Sequence, residues 1–269
     1  MHPMLNMAIM AARQAGDIIA RSADRIDQLQ IETKEINDFV SEVDRNAEQI
    51  IIETLKKAYP DHAFLGEESG SSQEGSKEKA EYEWIIDPLD GTTNFLYGIP
   101  HYAVSIALKR RGKLYQAVIY DPYKDDLFTA SKGEGATLNS RRIRVRNRRD
   151  MHGALLTTGV PYRQDQQALM DPYLESMKAL LPDTAGVRRP GSAALDLAYV
   201  AAGRYDGFWE FTLHEWDIAA GVLMVQEAGG LIGDLKGGSD HLKTGNIVAA
   251  SPKVFKEMIK RLHPITAGL

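Results

Sequence analysis

Residues 84–95 read WIIDPLDGTTNF, and this dodecapeptide decides how the rest of the chain is read. Trp84, Ile85 and Ile86 predict a buried strand that delivers Asp87 at its carboxyl end, and Pro88 is expected to stop that strand. Asp90 follows three positions on, and Gly91, Thr92 and Thr93 predict the opening turn of a helix. Two carboxylates at this spacing across a turn can converge on hard cations, with the carbonyl of Leu89 between them as a further oxygen donor. The N–H groups of Gly91 and Thr92 suit an anion at the helix terminus. The same residue types also begin ordinary turns and cap ordinary helices. A third reading is a phosphoaspartyl motif of the DxDGT kind, with an attacking aspartate. Here two residues separate the aspartates instead of one, which changes the side chains that converge.

Upstream, AFLGEES (63–69) and YEWIID (82–87) predict two strands joined by a polar, mobile loop at 69–81. Glu67 and Glu68 adjoin in the first of these, a placement that suits either a cation or a solvated loop edge. Two amphipathic helices precede them. One is carried by Leu5, Ala8, Ile9, Ala12, Ala15, Gly16 and Ile19; the other starts near Ser41, is carried by Val43, Ala47, Ile50, Ile51 and Leu55, and closes at Pro60. Downstream, AVSIALK, LYQAVIY, LFTAS and RIRVR, separated by RRG, DPYKDD and KGEGA, predict an antiparallel meander.

A second half begins near Gly153, where ALLTTG, YDGFWEF, LIGDL and NIVAAS alternate with helical stretches around 165–181, 192–202, 217–228 and 252–262. The expected organisation is an N-terminal α+β half (1–150) and a C-terminal α/β half (151–269), packed as one catalytic unit. Gly203 and Gly229 fall where helix C-caps belong. Asp217 opens the helix of WDIAAG (216–221) and serves there as a cap, or as a ligand if other segments reach it. RRPGSAAL (188–195) is a glycine turn before a helix, suited to polar substrate groups or to tight helix packing.

Composition removes other classes. The 269 residues contain no cysteine, which excludes disulfides, thiolate nucleophiles and zinc-thiolate sites and suits the cytoplasm. No HExxH, GxSxG, GxGxxG or Walker pattern occurs. No run of about 18 apolar residues predicts a membrane span. A net charge of −5 gives no general attraction to nucleic acid. RRIRVRNRR (141–149) is the one basic patch, read as alternating arginines on a solvent-facing edge strand.

Taken with GEES at 66–69, DPLDGTTNF at 87–95, WDIAAG at 216–221 and GSAALDLAYVAAGRYDGFWE at 191–210, the chain resembles the inositol monophosphatase family, in its bacterial SuhB type, over essentially its whole length. The resemblance implies an α/β (α+β) layered sandwich of the inositol monophosphatase/fructose-1,6-bisphosphatase kind, usually a homodimer, with two or three Mg²⁺ ions and lithium-sensitive hydrolysis of inositol 1-phosphate or another small phosphate ester. It implies Glu67, Asp87 and the Leu89 carbonyl as ligands of one metal, Asp87, Asp90 and Asp217 of a second, and Glu67 of a weaker third. Thr92 with Glu67 would orient the attacking water. Asp90, Gly191, Ser192, Ala193, Glu210 and Asp217 would line the sugar-alcohol ring, with Gly91 and Thr92 at the phosphate. It also implies two alternatives: histidinol-phosphate or sugar-phosphate hydrolysis, and an accessory role with transcription elongation factors in ribosomal RNA synthesis.

Overall fold

The computed structural model describes residues 2–26, 31–35, 38–72 and 80–266. Helix α1 (Pro3–Ala23) is capped by the His2 ring, which accepts the Met4 amide, and Leu5, Ala8, Ala12, Ala15 and Ile19 are buried along one stripe. A hairpin that the apolar pattern does not signal, β1 (Ile31–Glu35) and β2 (Asp38–Ser41), leads into α2 (Glu42–Ala58). Ser41 and Asp44 cap α2 reciprocally.

Next come β3 (Ala63–Gly66), β4 (Gly70–Ser71), β5 (Tyr82–Asp90), α3 (Thr92–Leu96), β6 (Ala103–Arg110), β7 (Lys113–Asp121), β8 (Asp126–Ser131), β9 (Gly135–Leu138) and β10 (Arg141–Arg142). These strands form one sheet in the order β10-β9-β8-β7-β6-β5-β3-β4. All pairings are antiparallel except β3 with β5.

Two expectations need correction here. The last full strand of the meander is β9, which starts at Gly135 within the segment KGEGA read as a separator and runs on to Leu138, and RIRVR contributes only Arg142 to a two-residue β10. Beyond it the chain crosses to the second half: the Val145 amide bonds the Ala228 carbonyl, and Arg148 stands 2.8 Å from the wholly buried carboxylate of Asp206. The arginines therefore do not alternate along an edge strand. Pro88, moreover, does not end β5, which continues to Asp90. Of the polar loop at 69–81, Gly70–Ser71 forms β4 and residues 73–79 lie outside the described residues.

The second half comprises β11 (Leu155–Thr158), α4 (Met170–Leu180), β12 (Gly186–Arg188), α5 (Ala193–Ala201), β13 (Gly207–Glu210), α6 (Glu215–Glu227), β14 (Leu231–Gly233), α7 (His241–Thr244), β15 (Ile247–Ala250) and α8 (Pro252–Thr266). Its sheet runs β12-β11-β13-β15-β14.

Three cores bind five layers, the middle one lying on both sides of the α5–α6 layer. Trp84, Ile86, Val104, Ile106, Leu108 and Val118 pack one face of the large sheet against α1 and α2. Their neighbours Ile85, Ala103, Ala107, Ala117 and Ile119 point the other way, onto α5, α6 and Phe208, Ile247 and Ala249 of the small sheet. Leu156, Trp209, Val248 and Ala250 then cover α4 and α8. Because both sheets are buried on both faces, their strands read as continuous apolar runs, and the period of two decides which layer each side chain enters. The architecture is the layered α/β sandwich expected from the resemblance. Among the described residues, no helix is long and apolar enough to cross a membrane.

Candidate active site

The register of β5 against β6 creates the site. Asp87 pairs with Ser105 and Asp90 with Ala103, so three steps along β5 match two along β6. The extra residue is a bulge, the one interior position where a strand tolerates proline, which explains why Pro88 does not interrupt β5. Gly91 then caps α3 at φ +98, with the Gly191 carbonyl 3.2 Å from where a Cβ would sit. Only glycine takes this turn without strain.

The cleft that opens here is lined by Glu67, Asp87, Leu89, Asp90, Gly91, Thr92, Gly191, Ser192, Ala193, Glu210 and Asp217, so every metal and substrate position implied by the resemblance faces it, while Glu68 does not line it. Glu67 follows β3 and its amide bonds the Ile86 carbonyl. Asp217 stands one turn into α6, whose cap is His214; Asp217 Oδ2 accepts the His214 amide at 2.7 Å. Asp217 therefore takes part in the cap of α6, which begins two residues before it, and also faces the cleft. Asp90 Oδ2 accepts Ser192 Oγ at 2.7 Å and the Ala194 amide at 2.6 Å, joining the bulge of the large sheet to the start of α5. Asn94 ties the same two segments by donating to the carbonyls of His101 (2.7 Å) and Pro190 (2.8 Å).

Electrostatics marks the cleft as over-supplied with negative charge. Asp87, 2% exposed, is pushed well above the usual carboxylate range by burial and then by the charges of Glu67, Asp90 and Asp217. It also shares a hydrogen bond with Glu67, which requires one of the two to be protonated. Burial first, then Glu67 and Asp90, raise Asp217 in the same way. Burial lifts Asp90 to about 6 against the pull of its hydrogen bonds, and Glu210 to about 8. Among the described residues, no group of three or more His, Asp or Glu side chains is already arranged to hold a metal ion. The donor chemistry nevertheless fits hard divalent cations: four carboxylates and a carbonyl, all oxygen, repelling one another in a partly dry cleft.

Three buried carboxylates around the cleft escape sequence reasoning. Asp44, 1% exposed on α2, accepts Thr92 Oγ1 at 2.9 Å, and Thr92 Oγ1 also lies 3.0 Å from the Leu89 carbonyl. Glu48, 3% exposed, accepts the amides of Glu68 and Ser69. Both sit on the stripe of α2 that otherwise carries Val43, Ala47, Ile51 and Leu55, and charged residues on an apolar stripe were the available signal. Asp196, 1% exposed on α5, lines the far wall with Arg163 and Arg189, and burial followed by Glu210 raises it well above its ordinary value.

This geometry has known counterparts. The family model for the inositol monophosphatase family matches residues 1–266. The chain is 55% identical over 264 residues to the Nus factor SuhB of Pseudomonas aeruginosa, covering 98% of this chain and 97% of that protein. It is 49% identical over 263 residues to the Nus factor SuhB of Escherichia coli, covering 98% and 97%. The crystal structure of extragenic suppressor protein suhB from Bartonella henselae superposes with a TM-score of 0.92 at 44% identity over all of both chains. The inositol monophosphatase from Anabaena gives 0.84 at 35% identity over 97% and 95%. A carboxylate cleft at a bulged strand, a match over nearly every residue and a shared fold lead to one conclusion: the chain belongs to the inositol monophosphatase family.

Proposed function

We propose that the protein is a Mg²⁺-dependent phosphomonoesterase that hydrolyses inositol 1-phosphate to inositol and phosphate. The supporting observation is the gathering of Glu67, Asp87, Asp90 and Asp217 from three separate segments at one cleft. Two or three divalent ions held by these carboxylates and the Leu89 carbonyl would supply Lewis acidity and offset charge on the phosphate. The chain's own residues do the rest. Thr92, its hydroxyl proton directed to Asp44, accepts a hydrogen from water positioned with Glu67, and Asp44 receives the displaced proton. Gly91 and Thr92 seat the phosphate. Asp90, Gly191, Ser192, Ala193, Glu210 and Asp217 orient the polyol so that water meets phosphorus opposite the leaving oxygen. Residues 1–150 and 151–269 act as halves of one catalytic unit, since the cleft draws on both. The protein works as a cytoplasmic homodimer and is lithium-sensitive.

The test is phosphate release from inositol 1-phosphate by the purified protein, with and without Mg²⁺ and then with lithium. Magnesium-dependent, lithium-inhibited release supports the proposal; none from folded protein with Mg²⁺ present overturns it. Comparing kcat/KM across inositol, sugar and histidinol phosphates ranks the esters.

A second role is favoured by relatives named Nus factor at 49–55% identity. In it the protein joins transcription elongation factors during ribosomal RNA synthesis, with exposed Arg141, Arg144 and Arg149 as the contact. A pull-down of the transcription machinery that is unchanged by removing these arginines would refute that contact.

A further inference from the structure

We propose that Glu48 is a positioning residue for Glu67, setting the affinity of the cleft for divalent cations; the inference rests on the phosphatase reading above. Glu48 Oε2 accepts the Glu68 amide at 2.9 Å and Oε1 accepts the Ser69 amide at 2.8 Å. These are the two amides that directly follow Glu67. With one donor on each oxygen, the carboxylate is a two-point clamp, and the segment cannot turn about it without losing both bonds. Gly66 makes the approach feasible, because a Cβ there would run into the Glu48 carboxylate. Asp44, one turn earlier on α2, holds Thr92. One helix thus fixes both segments that flank the bulge through two carboxylates four residues apart.

Local folding alone does not call for this arrangement. Ser69 is exposed and Glu68 half-buried, so water could satisfy their amides, whereas burying a carboxylate to bond them carries a desolvation cost. What the clamp holds is a side chain that must face the cleft: Glu67 comes from a loop after β3, whereas Asp87, Asp90 and Asp217, which line the same cleft, stand on a strand and a helix. Holding the backbone on either side of Glu67, through the amides of Glu68 and Ser69 and the Glu67 amide on the Ile86 carbonyl, shortens the rearrangement needed to close oxygen ligands around a cation. Partners of metal-binding side chains characteristically change metal affinity by about 10- to 100-fold when removed.

The experiment compares wild type, Glu48→Gln and Gly66→Ala. Glu48→Gln keeps the shape but turns an NH₂ toward one of the two amide donors. Gly66→Ala leaves every polar group in place and displaces the clamp by bulk alone. Mg²⁺ is titrated against thermal stability in the absence of substrate, and against phosphate release. We expect the half-saturating Mg²⁺ concentration to rise about tenfold or more in both assays and both variants. That rise should exceed the fall in kcat at saturating Mg²⁺. A lowered Tm in chelator with unchanged Mg²⁺ affinity would mean that Glu48 only supports the fold, and would overturn the proposal. Should Glu48→Gln fail to fold, Gly66→Ala carries the same test. If wild type shows no thermal response to Mg²⁺, the phosphatase reading falls and the role of Glu48 falls with it.

Discussion

Thr92 Oγ1 and Asp44 Oδ1 stand 2.9 Å apart across 48 residues of sequence, joining the turn after the bulged strand to the first turn of α2. Asp44 also accepts the Ser41 amide at 2.9 Å and the Ser41 hydroxyl at 2.6 Å, so three donors converge on one buried carboxylate. Asp44→Asn should lower kcat by about 100-fold or more, the scale of lost proton transfer. It should also destabilise the fold by roughly 1–3 kcal/mol, because the amide nitrogen faces donors. Steady-state kinetics and denaturant titration on one preparation check both. Unchanged kcat with lowered stability would leave Asp44 as a cap only.

Asp87→Asn should abolish turnover and yet stabilise the metal-free protein. Burial and three neighbouring charges raise the carboxyl of Asp87 above its ordinary value, so ionising it opposes folding as pH rises. The amide removes that opposition. In chelator the variant's Tm at pH 8 should exceed that of wild type, by about 2–4 °C for each kcal/mol relieved. Added Mg²⁺ should raise it less than it raises wild type. A variant with near wild-type rates would remove Asp87 from the chemistry.

Arg148 lies 2.8 Å from Asp206, which is wholly buried, and Arg146 lies at 3.9 Å. Arg148→Ala leaves that carboxylate, among the described residues, with the distant Arg146 guanidinium and the Leu155 amide. The expected loss is about 2–3 kcal/mol, below the cost of breaking a fully buried pair because Arg148 is itself partly exposed. Removing the exposed Arg144 side chain, which among the described residues donates to the neighbouring Ile143 carbonyl, should cost less than about 0.5 kcal/mol in Arg144→Ala. Equal denaturation midpoints for the two variants would show that the strap between the sheets does not depend on this pair.

His101 supplies a second pH dependence. Burial and then Lys124 hold its ring down at about 4, with Asp121 pulling the other way. A histidine whose folded value lies below its unfolded value near 6.5 contributes stability that is complete above that pH and lost as pH falls toward 4. His101→Phe keeps an aromatic ring against Tyr199 and removes the titrating group. Between pH 6.5 and 4 the wild type should therefore lose on the order of 2 kcal/mol more than the variant. Parallel curves over that interval would refute the assignment.

Periodicity alone was enough for α1, α2 and α8, each of which buries a repeating face that a window of ten to fifteen residues displays, whereas α5, α6 and the central strands are buried on nearly every side and read instead as apolar runs between turn residues. The metal and substrate candidates were legible for a related reason: each sits in a short motif whose local turn chemistry, such as Gly91 at positive φ before α3, is written in adjacent residues. What the window could not contain was decided by tertiary contact. Pro88 reads as a strand end until the register with β6 shows a bulge, and the arginines of 141–149 read as an edge strand until Asp206 appears beneath them. Asp44 and Glu48 stand out as charges on the apolar stripe of α2, but only packing of α2 against β5 gives them their partners, Thr92 and the segment after Glu67. Backbone preference and hydrophobic period act over one or two turns, so the sequence determined the elements and the chemistry each could carry. Which buried carboxylate meets which hydroxyl or amide depends on how layers stack, a free energy summed over the whole core that no local segment encodes.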